Sequence, residues 1–417
     1  MTTRTAPNPR RTEPQPKYAW VVMSILWGMD IINMLVFFSL GLLVPVWTED
    51  LGVTPIEAGL LGSVGFLGFG LMALPAAIWI TKYNPRLVAL LSSIGMTIAV
   101  LLHAIATSVE ILLLARFGFV VMTVIRIQVQ VIFIQQWFKP GLYPLVNSLD
   151  FSFRSVGQVI ALAATSFLIT ILGGWRALFI AIGVAAASLT MFWGFYGREP
   201  NNLQENTSNS NLENNPAGVL RREKIIWITS SSQMGAATAF ASFINFYPTF
   251  AIERSGITLE AIGLIMSLYP IGGILGSITA GPLSQAIGRR KPFIWIGGIA
   301  LPLLYTAMLW VDSGLVLATL MFCAGVFSMA VPPTLTNIAF DLELPPRELS
   351  VALALMRTLF PVGATIGPIF VGILAEVTGS LLLGLSIVAP LAATLFVAGM
   401  FLPETGPKGS YLSSSTR

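Results

Sequence analysis

The sequence predicts an all-α integral membrane protein: twelve transmembrane helices in two pseudo-symmetric six-helix bundles. Three observations carry this. Hydrophobic residues make up 55% of the 417 and charged residues only 10%, against roughly 25% charged in a soluble domain. Twelve stretches reach the ~20 apolar residues that a helix needs to cross a hydrocarbon core of ~30 Å: 19–47, 56–80, 87–107, 111–135, 143–172, 177–196, 225–250, 261–283, 293–311, 314–339, 349–374 and 380–402. The second half also echoes the first, because Thr54, Gly59, Leu60, Ser63, Ala77 and Arg86 recur at a constant offset of 204 as Thr258, Gly263, Leu264, Ser267, Gly281 and Arg290. A same-sense repeat six spans apart implies two halves related by an axis along the membrane normal. The chain divides accordingly into a tail at 1–18, a first bundle at 19–197, a linker at 198–224, a second bundle at 225–402 and a tail at 403–417.

The net charge of +4 raises the question of a nucleic-acid partner, and its distribution argues against one. Of the 23 Lys and Arg residues, only Arg176 and Arg254 fall on the far side. Arg116, Arg126, Arg154 and Arg357 lie within spans, and the rest lie on the side of the termini. That asymmetry places both termini in the cytoplasm, in a bacterial-type inner membrane. Cys323 has no partner in the chain, so cysteine usage says nothing of redox compartment.

The first 18 residues are polar and proline-rich and lack an apolar core with a small-residue cleavage site. A disordered tail is expected there, and a removable signal is not. Trp20 and Trp47 bracket the first span, as interfacial aromatics do. Inside it, Asp30 lies ~16 Å from the helix start, near the bilayer midplane. Asn33 is about 60° away on the helical wheel, so both can face one cavity. Asp30 is the proton-coupling candidate, against the alternative of a structural hydrogen bond or ion pair. The second span holds Gly59, Gly62, Gly65, Gly68 and Gly70, which allow close helix approach. His103, the only histidine, reads as hydrogen-bonded or interfacial, and no metal site can be built around it.

The fourth and fifth spans are the most informative. An arginine or aspartate at bilayer depth costs at least ~2.5–3.5 kcal/mol unless it faces a partner or a water-filled cavity, which makes such residues functional candidates. Arg116, Arg126 and Gln130 fall within an arc of about 80° on the fourth span, and Asn147, Asp150, Arg154 and Gln158 within a similar arc on the fifth. Depth pairs Arg126 with Asp150 as a structural ion pair. Arg116, only ~8 Å from the outer surface, is placed to snorkel.

Residues 201–215 are rich in Asn, Ser and Glu, a flexible-linker composition. The acceptor-like Asn206-Thr207-Ser208 is discounted for its cytoplasmic placement. The seventh span offers Gln233, Asn245 and Tyr247. The tenth offers Pro332-Pro333, which break or kink a helix, then Thr334, Thr336 and Asn337. Arg357 stands at the repeat position of Arg154, and the two are expected to approach one another across the pseudo-twofold axis.

After the eighth span, Gly281-Pro282-Leu283-Ser284-Gln285-Ala286-Ile287-Gly288-Arg289-Arg290 resembles the loop signature of the major facilitator superfamily. Twelve spans, a central linker and Gly174-Trp175-Arg176 before the sixth span extend the likeness over the whole chain. The resemblance implies a two-bundle transporter working by alternating access, with the first, fourth, seventh and tenth helices around a central cavity. It also makes Lys82, Arg86, Gly281, Gln285, Gly288, Arg289 and Arg290 a conformational loop set. The signature aspartate is Gln285 here, and the first copy reads Ala77, Thr81 and Asn84, so the cytoplasmic latch should be weaker or differently built. Drug antiporters of the family carry Gly-Pro on the fifth helix, where this chain has Gly157-Gln158-Val159. A similar string, Gly363-Ala364-Thr365-Ile366-Gly367-Pro368, sits on the eleventh instead.

Four intramembrane arginines against Asp30 and Asp150 leave a positive cavity, and arginine's planar fork suits carboxylates, oxyanions and phosphates. The leading expectation is a secondary transporter of a small organic anion, acting as a monomer in the lipid bilayer and coupled to protons. Arg154, Arg357, Asn33, Gln130, Gln233 and Asn337 would bind the substrate. The runner-up is an exporter of amphipathic drugs or metabolites that uses Asp30 for cations. From a different class comes a non-transporting membrane sensor or lipid-handling protein. No nucleophile and base pair, metal cluster or phosphate loop suggests an enzyme or a cofactor.

Overall fold

A computed structural model describes residues 16–80, 82–139, 142–198, 218–342, 344–406 and 408. The expected disorder of the N-terminal tail, the middle of the linker and the end of the C-terminal tail, and Thr81 of the first loop copy, lie outside the described residues. The described chain is helical throughout. The first half contains α1 (Pro16–Phe38), α2 (Leu40–Leu51), α3 (Pro55–Ile80), α4 (Pro85–Ala104), α5 (Val109–Trp137), α6 (Tyr143–Leu172) and α7 (Trp175–Tyr196). A single turn, α8 (Val219–Arg222), leads into α9 (Lys224–Ser255), α10 (Leu259–Ile287), α11 (Lys291–Met308), α12 (Gly314–Asp341) and α13 (Pro346–Thr378). The last span is α14 (Leu381–Val388), a 3-10 segment (Ala389–Ala393) and α15 (Thr394–Phe401).

Eleven of these elements are long and apolar enough to cross a membrane. The expected seventh span falls short although α9 has 32 residues, because it carries Ser230, Ser231, Ser232, Gln233, Thr238, Ser242 and Asn245. Most of its residues are buried against other helices. A helix wrapped in protein has no need of an apolar surface, since its hydroxyls bond to its own carbonyls, as Thr229, Ser230 and Ser242 do. The first span is divided at Ser39 into α1 and α2.

The two bundles repeat one packing scheme. In the first, α4 packs on α5 and α7, α3 on α5, and α1 on α6. In the second, α11 packs on α12 and α15, α10 on α12, and α9 on α13. Close approach depends on missing side chains: a Cβ on Gly325 of α12 would lie 1.9 Å from the Tyr269 carbonyl oxygen of α10.

Between the bundles, α3 packs on α13, α6 on α10, and α2 on α9. A Cβ on Gly59 would meet the Pro368 carbonyl oxygen at 2.4 Å, and one on Gly372 would meet that of Pro55 at 2.4 Å. Hydrogen bonds joining the bundles run from Ile56 N to Glu376, Ser63 to the Thr365 carbonyl, Thr170 to Glu260, and Asn245 to the Ala58 carbonyl. These all lie in the half remote from the termini, so the bundles are shut at the far end.

Two local expectations change, and His103 takes the hydrogen-bonded one of its two alternatives. Trp47 is buried against Trp175 and Phe179 instead of sitting at an interface. Arg116 does not snorkel; it is buried, and donates to the Val36 and Phe37 carbonyls at 2.8 and 3.0 Å, beside the α1–α2 division. A Cβ on Gly65 would lie 3.5 Å from Nη2 and 2.9 Å from the Phe37 ring, so glycine leaves room there. His103 is buried, with Nδ1 2.8 Å from the Ala99 carbonyl oxygen, and it stacks on Phe179.

At the terminal end, residues after α15 fold back as a strap. Glu404 accepts from the backbone N–H of Arg290 and Lys291, at 2.6 and 3.3 Å, and Lys408 N donates to the Gly288 carbonyl at 3.0 Å.

Two tests follow from this packing. Gly325→Ala is expected to destabilise the purified protein by about 1–3 kcal/mol, the usual range for overpacking, and an unchanged thermal midpoint would contradict the α10–α12 geometry. Asp50, beyond the first apolar stretch, accepts from the Trp175 indole at 2.9 Å and from Arg176 at 2.5 Å. The indole first and then the guanidinium hold its carboxyl below the ordinary value of 3.8. A carboxylate depressed in this way stabilises the fold above its unfolded value and loses that contribution as the pH falls through its lower folded value. Asp50→Asn should therefore lower the thermal midpoint at neutral pH, and the gap from wild type should close under strong acid.

Candidate functional site

Five polar side chains from three helices of the first bundle meet. Asp30 comes from α1, Arg126 and Gln130 lie one turn apart on α5, and Asp150 and Arg154 lie one turn apart on α6. Asp30 Oδ1 accepts from Arg126 Nη2, and Oδ2 accepts from Gln130 Nε2 at 2.8 Å. Arg126 Nη1 donates to Gln130 Oε1 at 2.8 Å, tying the two α5 residues together. The Gln130 Nε2 group donates a second time, to Asp150 Oδ1. Arg154 Nη2 is 3.1 Å from Asp150 Oδ2 and 3.7 Å from Asp30 Oδ2. Asp30 and Arg126 are 0% exposed, whereas the side chains of Arg154 and Asp150 are 25% and 18% exposed. The cluster is thus sealed on the α1–α5 side and open at α6.

The direct ion pair expected between Arg126 and Asp150 is replaced by Arg126 with Asp30 and Arg154 with Asp150. The reason is helix order. Consecutive in sequence, α5 and α6 barely touch, while α1 packs along α6. The Asp30 carboxylate occupies the space where depth alone would have joined Arg126 to Asp150. Asp150 then takes the arginine one turn along its own helix, a favourable i,i+4 arrangement.

Arg154 and Arg357, expected to approach one another, stand on helices of opposite bundles with different neighbours. α6 packs on α1 and α10, and α13 packs on α9 and α3. Arg357 is exposed. On the helix it shares a face with Phe360 and Ala364, three and seven residues on. Farther along α13, that face packs with Ala237 and Ala241 of α9 and Phe66 of α3. Val362, Ile366, Ile373 and Val377 form the outward face. Arg357 therefore opens into the space between the bundles, toward the terminal end. Arg126 and Arg154 are matched by Asp30 and Asp150, while Arg357 makes no ion pair among the described residues.

Other expected residues separate. Asn33 is buried, and both its amide atoms lack a partner. Gln233 is buried on α9 and Asn337 half-buried on α12; neither hydrogen-bonds to the Asp30 cluster. Lys82 and Arg289 are exposed, and Arg86 donates to the Gly194 carbonyl at 3.1 Å. Asn84 caps α4 by accepting from Leu87 N.

The second loop copy is a latch of a different build. Arg290 is buried and donates to Ser284 Oγ and Gln285 Oε1, each at 2.9 Å, and to Asp341 at 3.2 Å. Gln285 keeps the acceptor without its charge, and Asp341 of α12 supplies the charge. Gly281 ends in open space, whereas Gly288 takes the left-handed conformation at φ 75°. Two parts were missed from sequence: the Asp341–Glu404 contribution to this turn, and the stacking of Trp27 on Phe153 at 4.8 Å beside the cluster. Both aromatics read as ordinary span residues. Among the described residues, no group of His, Cys, Asp and Glu could hold a metal ion.

A model of the Major Facilitator Superfamily matches residues 26–262 and 229–417. The chain belongs to the major facilitator superfamily. It is similar to the probable sulfoacetate transporter SauU of Cupriavidus necator, at 21% identity over 92% of this chain and 93% of that protein. It also resembles the probable L-galactonate transporter of Escherichia coli, at 21% identity over 76% of this chain and 69% of the other. To the gallate transporter of Pseudomonas putida it is 30% identical over 30% of this chain and 27% of the other. Among solved structures, the fold is shared with a bacterial homologue of the human lysosomal transporter Spinster in an inward-facing, unoccupied conformation. That match has a TM-score of 0.72 and 18% identity, and covers 94% and 95% of the two chains. The nucleoside transporter NupG matches with a TM-score of 0.73 and 16% identity, over 92% and 98%. This is an integral membrane protein of a transporter family, not an enzyme.

Removing one member of a buried ion pair strands the other. Arg126→Gln is expected to destabilise the protein by about 3–5 kcal/mol, and the double variant Asp30→Asn/Arg126→Gln should recover much of that loss. Thermal unfolding of both variants checks this, and a double variant less stable than the single one would contradict the pairing.

Proposed function

We propose that this protein is a secondary transporter of a small organic anion, working by alternating access. The observation that carries the reading is the excess positive charge: Arg357 stands exposed in the space between the bundles and makes no ion pair among the described residues, facing a space whose other charges cancel. Arginine's planar fork is matched to carboxylate and other oxyanions. The relatives named for sulfoacetate, gallate and L-galactonate support the same class.

Alternating access is supported by the closure of the far end and the exposure of Arg154 and Arg357 toward the terminal end. The distribution of basic residues supports a cytoplasmic location for that end, which makes this the inward-facing state of a monomer in a bacterial-type inner membrane. Substrate then enters a cavity lined by Arg154 on one bundle and Arg357 on the other. Asn33, Gln130, Gln233 and Asn337 stand on the helices around it. A proton is exchanged within the Asp30 cluster, which can neutralise one carboxylate while an anion is bound.

The test is ligand stabilisation. A ligand at a hundred times its Kd raises folded-state stability by about 2.7 kcal/mol. Sulfoacetate, gallate and L-galactonate should raise the thermal midpoint of the purified protein, glucose and cationic drugs should not, and the shift should vanish in Arg357→Gln. Stabilisation by cationic drugs alone would instead support an exporter that uses Asp30 for cations. Anion binding without uptake into proteoliposomes would support a sensor.

A further inference from the structure

We propose that Asp150 is the coupling carboxylate, and that its protonation releases Arg154 to bind the substrate anion, so that one proton and one anionic group enter together. This rests on the anion-transport reading above and deepens it.

The geometry separates the roles of the two aspartates. Asp30 is fully enclosed and held on both oxygens, by Arg126 on one and by Gln130 on the other, with Arg154 at 3.7 Å beyond. It anchors α1 to α5, and solvent does not reach it. Asp150 occupies the open edge of the same cluster. Its Oδ1 shares the single Gln130 amide with Asp30, and its Oδ2 holds Arg154 at 3.1 Å. Two carboxylates thus converge on one NH2 group, the arrangement in which like charges favour a shared or added proton.

The groups facing Asp150 are few: Asp30 from α1, Arg126 and Gln130 from α5, and Arg154 on its own helix. The ionisable groups on the other helices packed against α6 are remote. Glu260 of α10 bonds to Thr170, twenty residues and ~30 Å along α6 from Asp150, and Arg176 of α7 pairs with Asp50 of α2 at the same far end. A proton arriving from the open end therefore meets Asp150 first.

Charge balance follows from the residues. Asp30 and Asp150 against Arg126 and Arg154 make a neutral cluster. Adding a proton to an Asp150 oxygen forms a neutral carboxyl and leaves the cluster one positive charge in excess. Arg154 keeps all its protons, loses its nearest acceptor, and can turn its fork toward the cavity, where Arg357 stands on the facing bundle. Binding one monovalent carboxylate or sulfonate restores the starting charge, and without the proton Asp150 itself fills the place of the anion. The device makes anion entry conditional on a proton and makes co-transport of a monoanion electroneutral.

The experiment reads the release of Arg154 directly, using the arginine reagent phenylglyoxal on the full-length protein, with adducts at each arginine quantified by mass spectrometry. Arg357, exposed and unpaired among the described residues, is the internal standard that corrects for the reagent's own pH dependence. From about pH 8 to about pH 5, a range that leaves ordinary arginines charged, the ratio of Arg154 to Arg357 adducts should rise several-fold in wild type. In Asp150→Asn it should be high and flat. A flat wild-type ratio would overturn the proposal, as would a ratio that still rises with acid in Asp150→Asn. The wild-type series needs no variant, so a misfolded Asp150→Asn leaves the test decisive. L-galactonate, a monocarboxylate, added at each pH should protect Arg154 only where the ratio has risen. If the ratio rises but none of the anions in the stabilisation panel binds, the switch stands and the anion reading fails.

Discussion

The structure depends on one constraint, that a charge far from water must be matched where it stands. Asp30 is closed off from solvent, and three helices are arranged around it. The Arg126 guanidinium and the Gln130 amide fix α5 against α1, while Asp150 and Arg154 bring α6 to the same point. Because Arg126 and Gln130 are one turn apart and bonded to each other, they present a fixed pair of donors to one carboxylate. Continuum arguments make such buried pairs poor sources of net stability, since desolvation offsets attraction. Their value lies in position: they hold three helices in one register at the middle of the molecule. Arg116 obeys the same constraint without a carboxylate, by drawing on two backbone carbonyls at the α1–α2 division.

A second feature is backbone against backbone. In α3, α10, α12 and α13, glycines remove the side chains that would hold neighbouring helices apart. At the far end, Gly59 and Gly372 let α3 and α13 meet closely from opposite bundles. Hydrogen bonds across the closed end are few: three join a side chain to a backbone group, and one joins Thr170 to Glu260. A seam held by van der Waals contact and a few polar ties can part without stranding buried charge, which suits a contact that must open. The charged cluster, by contrast, lies within the first bundle and can travel with it as a unit.

The helical spans and the internal repeat were legible in sequence because they rest on length, hydropathy and composition, which tertiary context alters little. The intramembrane charges were legible as a set for the same reason, since each is costly in lipid. Their partners were not. Helical depth placed Arg126 opposite Asp150, but depth is one coordinate of three, and which helix fills the gap between α5 and α6 is decided by packing. Likewise Arg154 and Arg357 occupy equivalent positions in the repeat, yet Arg154 is held by two carboxylates and Arg357 by none among the described residues, because Asp30 and Asp150 have no counterparts around α13. α9 shows the complementary failure: its apolar pattern is weak because the protein itself is its surroundings.

The strap after α15 bears on how the chain is made. Domains emerge and fold from the N-terminus during synthesis, and Glu404 follows every span in that order. Until it is made, the backbone N–H groups of Arg290 and Lys291 at the start of α11 have no acceptor from this segment, although the two helices flanking the turn have long been synthesised. The α10–α11 turn is therefore among the last parts of the second bundle to be completed. A fusion joined close behind α15 would compete with that final closure, while one joined well beyond Lys408 would leave the strap free to dock.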